Sequence, residues 1–263
     1  MLWCLWISPM GFAIPSARHK KSSSLSPLTT QQLHETVQKL KVSNGLNCAF
    51  IFGLKTTVAK TKEKEERTKD KMKEKEEGKL YSQQDSNGVK LRLDFDDRSF
   101  LCLGKSDDEI FCSEQSIKMT RDTPVCQGHL LSFADILMPF LEWQSCEYRH
   151  SKRVQGRNTH IIRFKGTTGQ LVDIAYDPVF EAILQFEYLD EKEKVQRTFK
   201  LLDFKKIQGV WLMKSIEIKD VPSNATTQLT IERVALEQTI PASTFDKNNL
   251  AKPSTDHLTY AKI

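Results

Sequence analysis

The chain has 263 residues, 39% of them hydrophobic and 28% charged, with 39 basic against 34 acidic residues and a formal net charge of +5. That length allows one large domain or two small ones, and the composition is that of a globular chain with enough apolar residues for a real core. Eleven glycines, nine prolines and six cysteines are too few for a fibrous chain or a disulfide-dense mini-protein, and no apolar run is long enough to span a bilayer as a helix.

Residues 1–17, MLWCLWISPMGFAIPSA, carry no charge, and Arg18, His19, Lys20 and Lys21 follow. This pattern predicts a secretory signal peptide cleaved after Ala13 or Ala17, and hence an exported protein. No Lys or Arg precedes the stretch and Pro9 interrupts it, so the competing reading is a buried N-terminal strand or short helix. Residues 18–27 predict a linker that ends in SSSLSP. A helix is expected next, with Leu33, Val37 and Leu40 on one face, Ser26, Pro27, Thr29 and Thr30 at its start and Asn44-Gly45 at its end. LNCAFIFGLKTTV (46–58) reads as a long strand with Cys48, Phe50 and Phe52 on one side.

Residues 60–79, KTKEKEERTKDKMKEKEEGK, hold one apolar side chain, Met72. A helix there has no face to bury, so the stretch is expected to be a charged, solvated insert. Acid nearly balances base in it and aromatic residues are absent, which argues against a nucleic-acid partner.

From residue 80 the pattern has period two. GVKLRLDF (88–95) puts Leu91, Leu93 and Phe95 on one face, and RSFLCLG with EIFCSEQ predicts a hairpin around Lys105–Asp108. Cys102 and Cys112 flank that turn, either to pair or, as the preferred reading, to pack as small apolar residues. Cleavage of the signal leaves an odd number of cysteines, and the pairing of Cys102, Cys112, Cys126 and Cys146 stays open. LSFADILMPFLEW (131–143) breaks the β pattern: Ser132 and Asp135 have capping-box spacing, Phe133, Ile136, Leu137 and Phe140 share a face, and Pro139 limits the helix.

The strands that follow (VQGRNTHIIRFK, GQLVDIAYD, EAILQFEYLD, VQRTFKLLDFKKI, VWLMKSIEIKD and TTQLTIERVAL) leave no room between them for the helical crossovers of a parallel sheet. The expected fold class is mainly β (α+β), an antiparallel meander of about ten or eleven strands that curls toward a barrel, with two helices. Ile162 and Phe164, Ile174 and Tyr176, and Leu184, Phe186 and Tyr188 mark its apolar face. In VWLMKSIEIKD, Trp211 and Met213 fall on one side and Leu212, Ile216 and Ile218 on the other. Such a face is read either as a packed core or as the wall of an apolar cavity under a helical lid. The nucleophile elbow, phosphate loop, dinucleotide fingerprint and zincin helix are all missing, and the six histidines are dispersed. An enzyme, a metal and a cofactor are therefore not expected.

GKLYSQQDSNGVKLRLDF, the helix segment 131–143, the V-x-G-R run at 154–157 and the stretch 182–219 closing into TTQLTIERVALEQTIPASTF follow one another in a familiar order. Together they resemble the bacterial outer-membrane lipoprotein-sorting proteins, the LolA/LolB-like superfamily, over about residues 28–250, with Phe245 after Ile240-Pro241 matching the closing aromatic; residues 251–263 remain as a tail. The resemblance implies a half-open antiparallel barrel whose apolar interior holds lipid or lipoprotein acyl chains. The cavity candidates are then Phe50, Phe52, Leu91, Leu93 and Phe95, with Ile162, Phe164, Ile174, Tyr176 and Leu184, and with Phe186, Tyr188, Trp211 and Met213. The lid candidates are Phe133, Ile136, Leu137 and Phe140. The implied role is a soluble periplasmic carrier that moves cargo toward the outer membrane, between an inner-membrane donor and an outer-membrane acceptor. The alternative is a cell-envelope sensor or regulatory domain on the same scaffold.

Overall fold

A computed structural model describes residues 25–42, 47–58, 75–85, 88–104, 109–113, 122, 124–125, 128–252, 254 and 257–263. The signal-like stretch 1–17, most of the 18–27 linker, residues 60–74 of the charged insert, Asn44-Gly45, the Lys105–Asp108 turn and Cys126 lie outside the described residues.

Helix α1 (Thr30–Val42) forms where expected, with Leu33, Val37 and Leu40 buried. Its start is a capping box: the Gln32 N–H donates to Thr29 Oγ1 at 3.3 Å and the Thr29 N–H to Gln32 Oε1 at 2.9 Å. Strands β1 (Cys48–Val58), β2 (Glu76–Asp85), β3 (Gly88–Asp94), β4 (Ser99–Gly104) and β5 (Glu109–Cys112) make a first meander. Helix α2 (Phe133–Leu137) and a 3-10 turn (Pro139–Glu142) follow. The second meander is β6 (Ser145–Val154), β7 (Arg157–Lys165), β8 (Leu171–Asp177), β9 (Ala182–Leu189), β10 (Val195–Ile207), β11 (Val210–Asp220) and β12 (Ala225–Leu236), and β13 (Ala261–Lys262) comes last.

The thirteen strands among the described residues share one antiparallel sheet, in the order β5-β4-β3-β2-β1-β12-β11-β10-β9-β8-β7-β6, with β13 beside β12. The long pairing of β1 with β12, from Cys48↔Leu236 to Val58↔Ala225, joins the two meanders. The order ends at β5 and β6 without pairing them, so the barrel is half-open, as the period-two pattern and its length lead one to expect.

The described strands number thirteen against an expectation of about ten or eleven, and the additional ones have identifiable reasons. β2 starts at Glu76, inside the stretch assigned to the charged insert, because backbone pairing to β1 needs no apolar side chain: Lys75 instead bridges Glu77 and Glu232, and Arg98 binds Glu76. Gly78 also belongs to β2, where an added Cβ would stand 2.7 Å from the Phe52 ring. β6 has half-exposed or exposed residues almost throughout and lacks the alternation of its neighbours, being an edge strand. Within the stretch expected as a tail, Ala261–Lys262 pair with β12 as β13 and Ile263 is buried. In the β4–β5 register Cys102 stands across from Ile110 and Cys112 across from Phe100, so the hairpin does not set the two cysteines opposite each other.

The sheet buries two layers. The concave face carries the main core. On the convex face Ala49, Tyr81, Leu101 and Ala235 are covered by Ile240, Phe245 and Leu250 of the C-terminal segment. Arg92, fully buried on β3, pins that cover: its guanidinium binds Asp94 at 2.6 Å and donates to the carbonyls of Thr244 (3.1 Å) and Lys252 (2.5 Å). Arg92→Leu strands the Asp94 carboxylate away from water and frees the segment, and is expected to lower stability by about 3–5 kcal/mol. Urea melts and limited proteolysis after residue 241 measure both effects. A loss below about 1 kcal/mol, as for an ordinary surface change, would contradict this role.

Candidate functional site

The lid is built by local sequence chemistry. Ser132 caps α2: its hydroxyl accepts from the Asp135 N–H at 3.3 Å, and Asp135 Oδ2 accepts from the Ser132 N–H at 2.8 Å, the capping box that the spacing announced. Pro139 cannot continue the helix, so Met138 takes a left-handed conformation (φ 44°) and the chain restarts as the 3-10 turn. That break aims Phe140 onto the sheet. Phe133, Ile136, Leu137 and Phe140 are all buried, as their shared face implies.

Under the lid the concave face divides in two. On the β7–β10 side Phe140 fills the space: its ring lies 5.7 Å from Phe164, 5.2 Å from Phe186 and 6.3 Å from Tyr188, and Phe186 stacks on Phe199 at 4.2 Å. Ile162, Ile174, Tyr176 and Leu184 are buried in the same core. On the β1–β12 side the packing is looser and leaves a cavity of about 40 Å³, lined by Phe50, Phe52, Leu80, Leu131, Ile136, Met213, Ile216, Leu229 and Ile231. Every lining residue is apolar. Leu91, Leu93 and Phe95 lie buried beside it, and a chain of edge-on rings runs from Phe52 through Phe95 and Phe100 to Phe133.

Of the expected cavity residues, Phe50, Phe52 and Met213 thus line the space, with Ile136 of the lid, while the aromatic group of β7–β9 packs on Phe140 instead. Trp211 is half-buried away from the cavity, edge-on to Phe204 at 5.6 Å. Ile216 joins Met213 on the cavity face because a bulge opposite Asp203 and Phe204 adds Lys214 to β11 and shifts the alternation by one. Leu229 and Ile231 were visible as alternate residues of TTQLTIERVAL.

Two polar devices hold the lid. Before it, the Thr227 hydroxyl accepts from the Leu130 N–H at 3.0 Å and meets Thr56 Oγ1 at 2.5 Å, which in turn lies 2.7 Å from His129 Nδ1. Within it, Arg197 of β10 donates to the Leu130 carbonyl and, at 2.6 Å, to Asp135 Oδ2. Asp135 is 1% exposed and Arg197 22%. Burial pushes the Asp135 carboxyl up to about 6, against the opposing pull of Arg197 and of the Ser132 hydrogen bonds, with Asp122 adding slightly to the rise. The Tyr188 hydroxyl close by is buried without a hydrogen-bond partner among the described residues, and burial raises its pKa strongly. Arg197 left no periodic signal in the sequence.

A larger hollow of about 220 Å³ on the outer side of β6–β9 has a mixed lining, in which Arg163 binds Asp173 at 2.7 and 2.9 Å and Glu193 at 2.7 Å. Among the described residues no group of three His, Cys, Asp or Glu side chains is placed to hold a metal ion, and no helix is long and apolar enough to cross a membrane.

A family model described as an uncharacterized protein matches residues 114–252, just over half of the chain. No curated protein matches. Solved structures share the fold, among them the following three. A DUF1329 family protein from Desulfovibrio piger superposes with a TM-score of 0.68 at 11% identity, over 82% of this chain and 97% of that one. A domain from Vibrio parahaemolyticus named for outer membrane lipoprotein sorting gives 0.66 at 14% identity, over 83% and 97%. A LolA-superfamily protein from Nitrosomonas europaea gives 0.56 at 14% identity, over 85% and 100%. The fold is LolA-like.

The buried carboxyl of Asp135 has a pH signature. Its folded pKa lies above the ordinary 3.8, so between about pH 4 and 6 the native state holds a proton that the unfolded chain releases. Its contribution to stability therefore grows as pH falls through that window and is lost as pH rises through 6. The melting temperature of the wild type, measured against Asp135→Asn, is expected to rise as pH is lowered from 7 to 4. A difference that stays constant would contradict a buried, ionised carboxylate at the lid.

Proposed function

The chain belongs to the family of uncharacterized proteins whose model matches residues 114–252, and we propose that it is a carrier that holds the acyl chain of a lipid or lipoprotein between its concave sheet and the α2 lid. The observation that supports this most is the cavity itself, lined by apolar side chains only and roofed by Leu131 and Ile136 of the lid segment. Such a lining offers an acyl chain burial and offers no group for acid, base or nucleophilic chemistry.

At about 40 Å³ the cavity is far below the roughly 300–1,000 Å³ of ligand pockets, so in this reading a whole acyl chain is accommodated as the lid lifts. The magnitudes permit it. Withdrawing Ile136 and Phe140 from the core costs about 1.5–3 kcal/mol each, whereas burying an acyl chain gains about 0.8 kcal/mol per methylene. About ten methylenes thus offset the two side chains and leave a surplus to set against the Arg197–Asp135 pair. In this reading residues 1–17 direct export, the protein works in the periplasm, and cargo passes from an inner-membrane donor toward an outer-membrane acceptor.

A fluorescent fatty-acyl probe tests the site. The wild type is expected to bind it saturably. Leu229→Trp fills the cavity, at an overpacking cost of about 1–3 kcal/mol, and is expected to weaken binding at least tenfold with a cooperative melt retained. Ile136→Glu is expected to shorten probe retention, since the lid then closes with a charge against apolar chains. A wild type that fails to bind, or a Leu229→Trp variant that binds unchanged, would overturn the reading. Export is checked separately: the mass of protein from the cell envelope is expected to show a chain that begins after Ala13 or Ala17, and an intact Met1 on cytoplasmic protein would refute it.

A further inference from the structure

From Leu201 to Lys214, strands β10 and β11 pair only with each other among the described residues. The β9 register on β10 stops at Gln185↔Lys200, and that of β12 on β11 begins at Thr230↔Ser215. The result is a two-stranded ribbon that leaves the sheet at the Asp203–Phe204 bulge and turns at Gln208-Gly209, both with positive φ. Its surface is not that of an ordinary solvated hairpin. Leu202 is 45% exposed, Trp211 is half-buried, Phe204, Ile207 and Val210 pack against the main core while staying partly exposed, and Lys205 and Lys206 are exposed. The β8–β9 turn extends the patch: the Phe180 ring, stacked under the Arg157 guanidinium, lies 5.5 Å from Phe204, and the preceding residue, Val179, is 65% exposed.

The ribbon's charges that lack an ion-pair partner among the described residues have one sign. Asp203, the ribbon's single acidic residue, is engaged by Lys214 at 3.6 Å, and neither Lys205 nor Lys206 has an acidic partner among the described residues. Tryptophan with aliphatic neighbours suits the headgroup level of a bilayer, while lysines with apolar stems set their ammonium groups on lipid phosphates. The base of the ribbon is Met213, which lines the apolar cavity.

We propose that the β10–β11 ribbon, with the β8–β9 turn, docks this protein on an anionic lipid bilayer, seating Trp211 at headgroup depth and Lys205 and Lys206 on the lipid phosphates. The docking stands on the ribbon alone; its use, to bring the cavity wall at Met213 against the membrane, rests on the carrier reading.

The experiment is co-sedimentation of the full chain with vesicles of phosphatidylglycerol and phosphatidylcholine, against phosphatidylcholine alone, at low and at physiological salt. The wild type is expected to partition onto the anionic vesicles, and to do so less as salt rises. Lys205→Glu/Lys206→Glu is expected to lower that partition at least tenfold, while fatty-acyl probe binding and the melt stay unchanged, which separates this proposal from the carrier reading. Lipids brominated on their acyl chains are expected to quench the wild type more than Trp211→Phe, placing Trp211 in the bilayer. Equal partition of wild type and double variant, no partition at low salt, or quenching identical with and without Trp211 would overturn the proposal. So would a dimer lost in the double variant without vesicle binding, since a second copy of the chain would then be the occupant.

Discussion

The concave face of a half-open antiparallel sheet is apolar across most of its strands and has to be covered. Helix α1 covers part of it with Leu33, Val37 and Leu40, and the rest falls to a short element: five residues of helix, a proline break and one 3-10 turn. It succeeds on the β7–β10 side because Phe140 reaches into the ring cluster of Phe164, Phe186 and Tyr188. It falls short on the β1–β12 side, where Ile136 and Leu131 roof a small void. The cavity thus lies where the reach of the short α2 segment ends.

How firmly the lid is held follows from the same geometry. Its entry is tied to the sheet by neutral hydrogen bonds around Thr227 and Thr56, and its first turn by the charged pair of Arg197 with Asp135. Asp135 is doubly engaged, since the carboxylate that caps α2 is also the one that meets Arg197. A buried ion pair gives less net stability than its short distance suggests, because desolvation opposes the attraction. The sheet beneath is secured independently. Its β1–β4 half is buried on both faces, the convex one by a C-terminal segment that Arg92 fastens. A lid can then move over a frame that does not.

The sequence made the frame legible wherever burial alternates. Leu91 and Leu93, Ile174 and Tyr176, and Leu184 and Phe186 all fall on the concave face that period two assigns them, and the Ser132–Asp135 capping box is present. Elements whose stability comes from partners far along the chain left weaker traces. β2 begins among charged residues because its neighbour supplies the backbone bonds, and β6 is an edge strand with little to bury. Bulges defeat periodicity in β11, where Lys214 turns Met213 and Ile216 to one side and leaves Trp211 on the ribbon. Arg92 and Arg197 carry no local sign of their roles, because the partners that define them lie 152 and 62 residues away.

The central claim is that the space under the lid exists to be filled by an apolar chain. Native mass spectrometry of the protein recovered from cell envelopes tests it most directly. The account predicts a fraction of the chain carrying added masses in the range of lipids or acylated peptides, released when the lid is destabilised by Arg197→Ala. A bare chain under all gentle conditions, or a chain carrying a stoichiometric protein partner and no lipid, would contradict it.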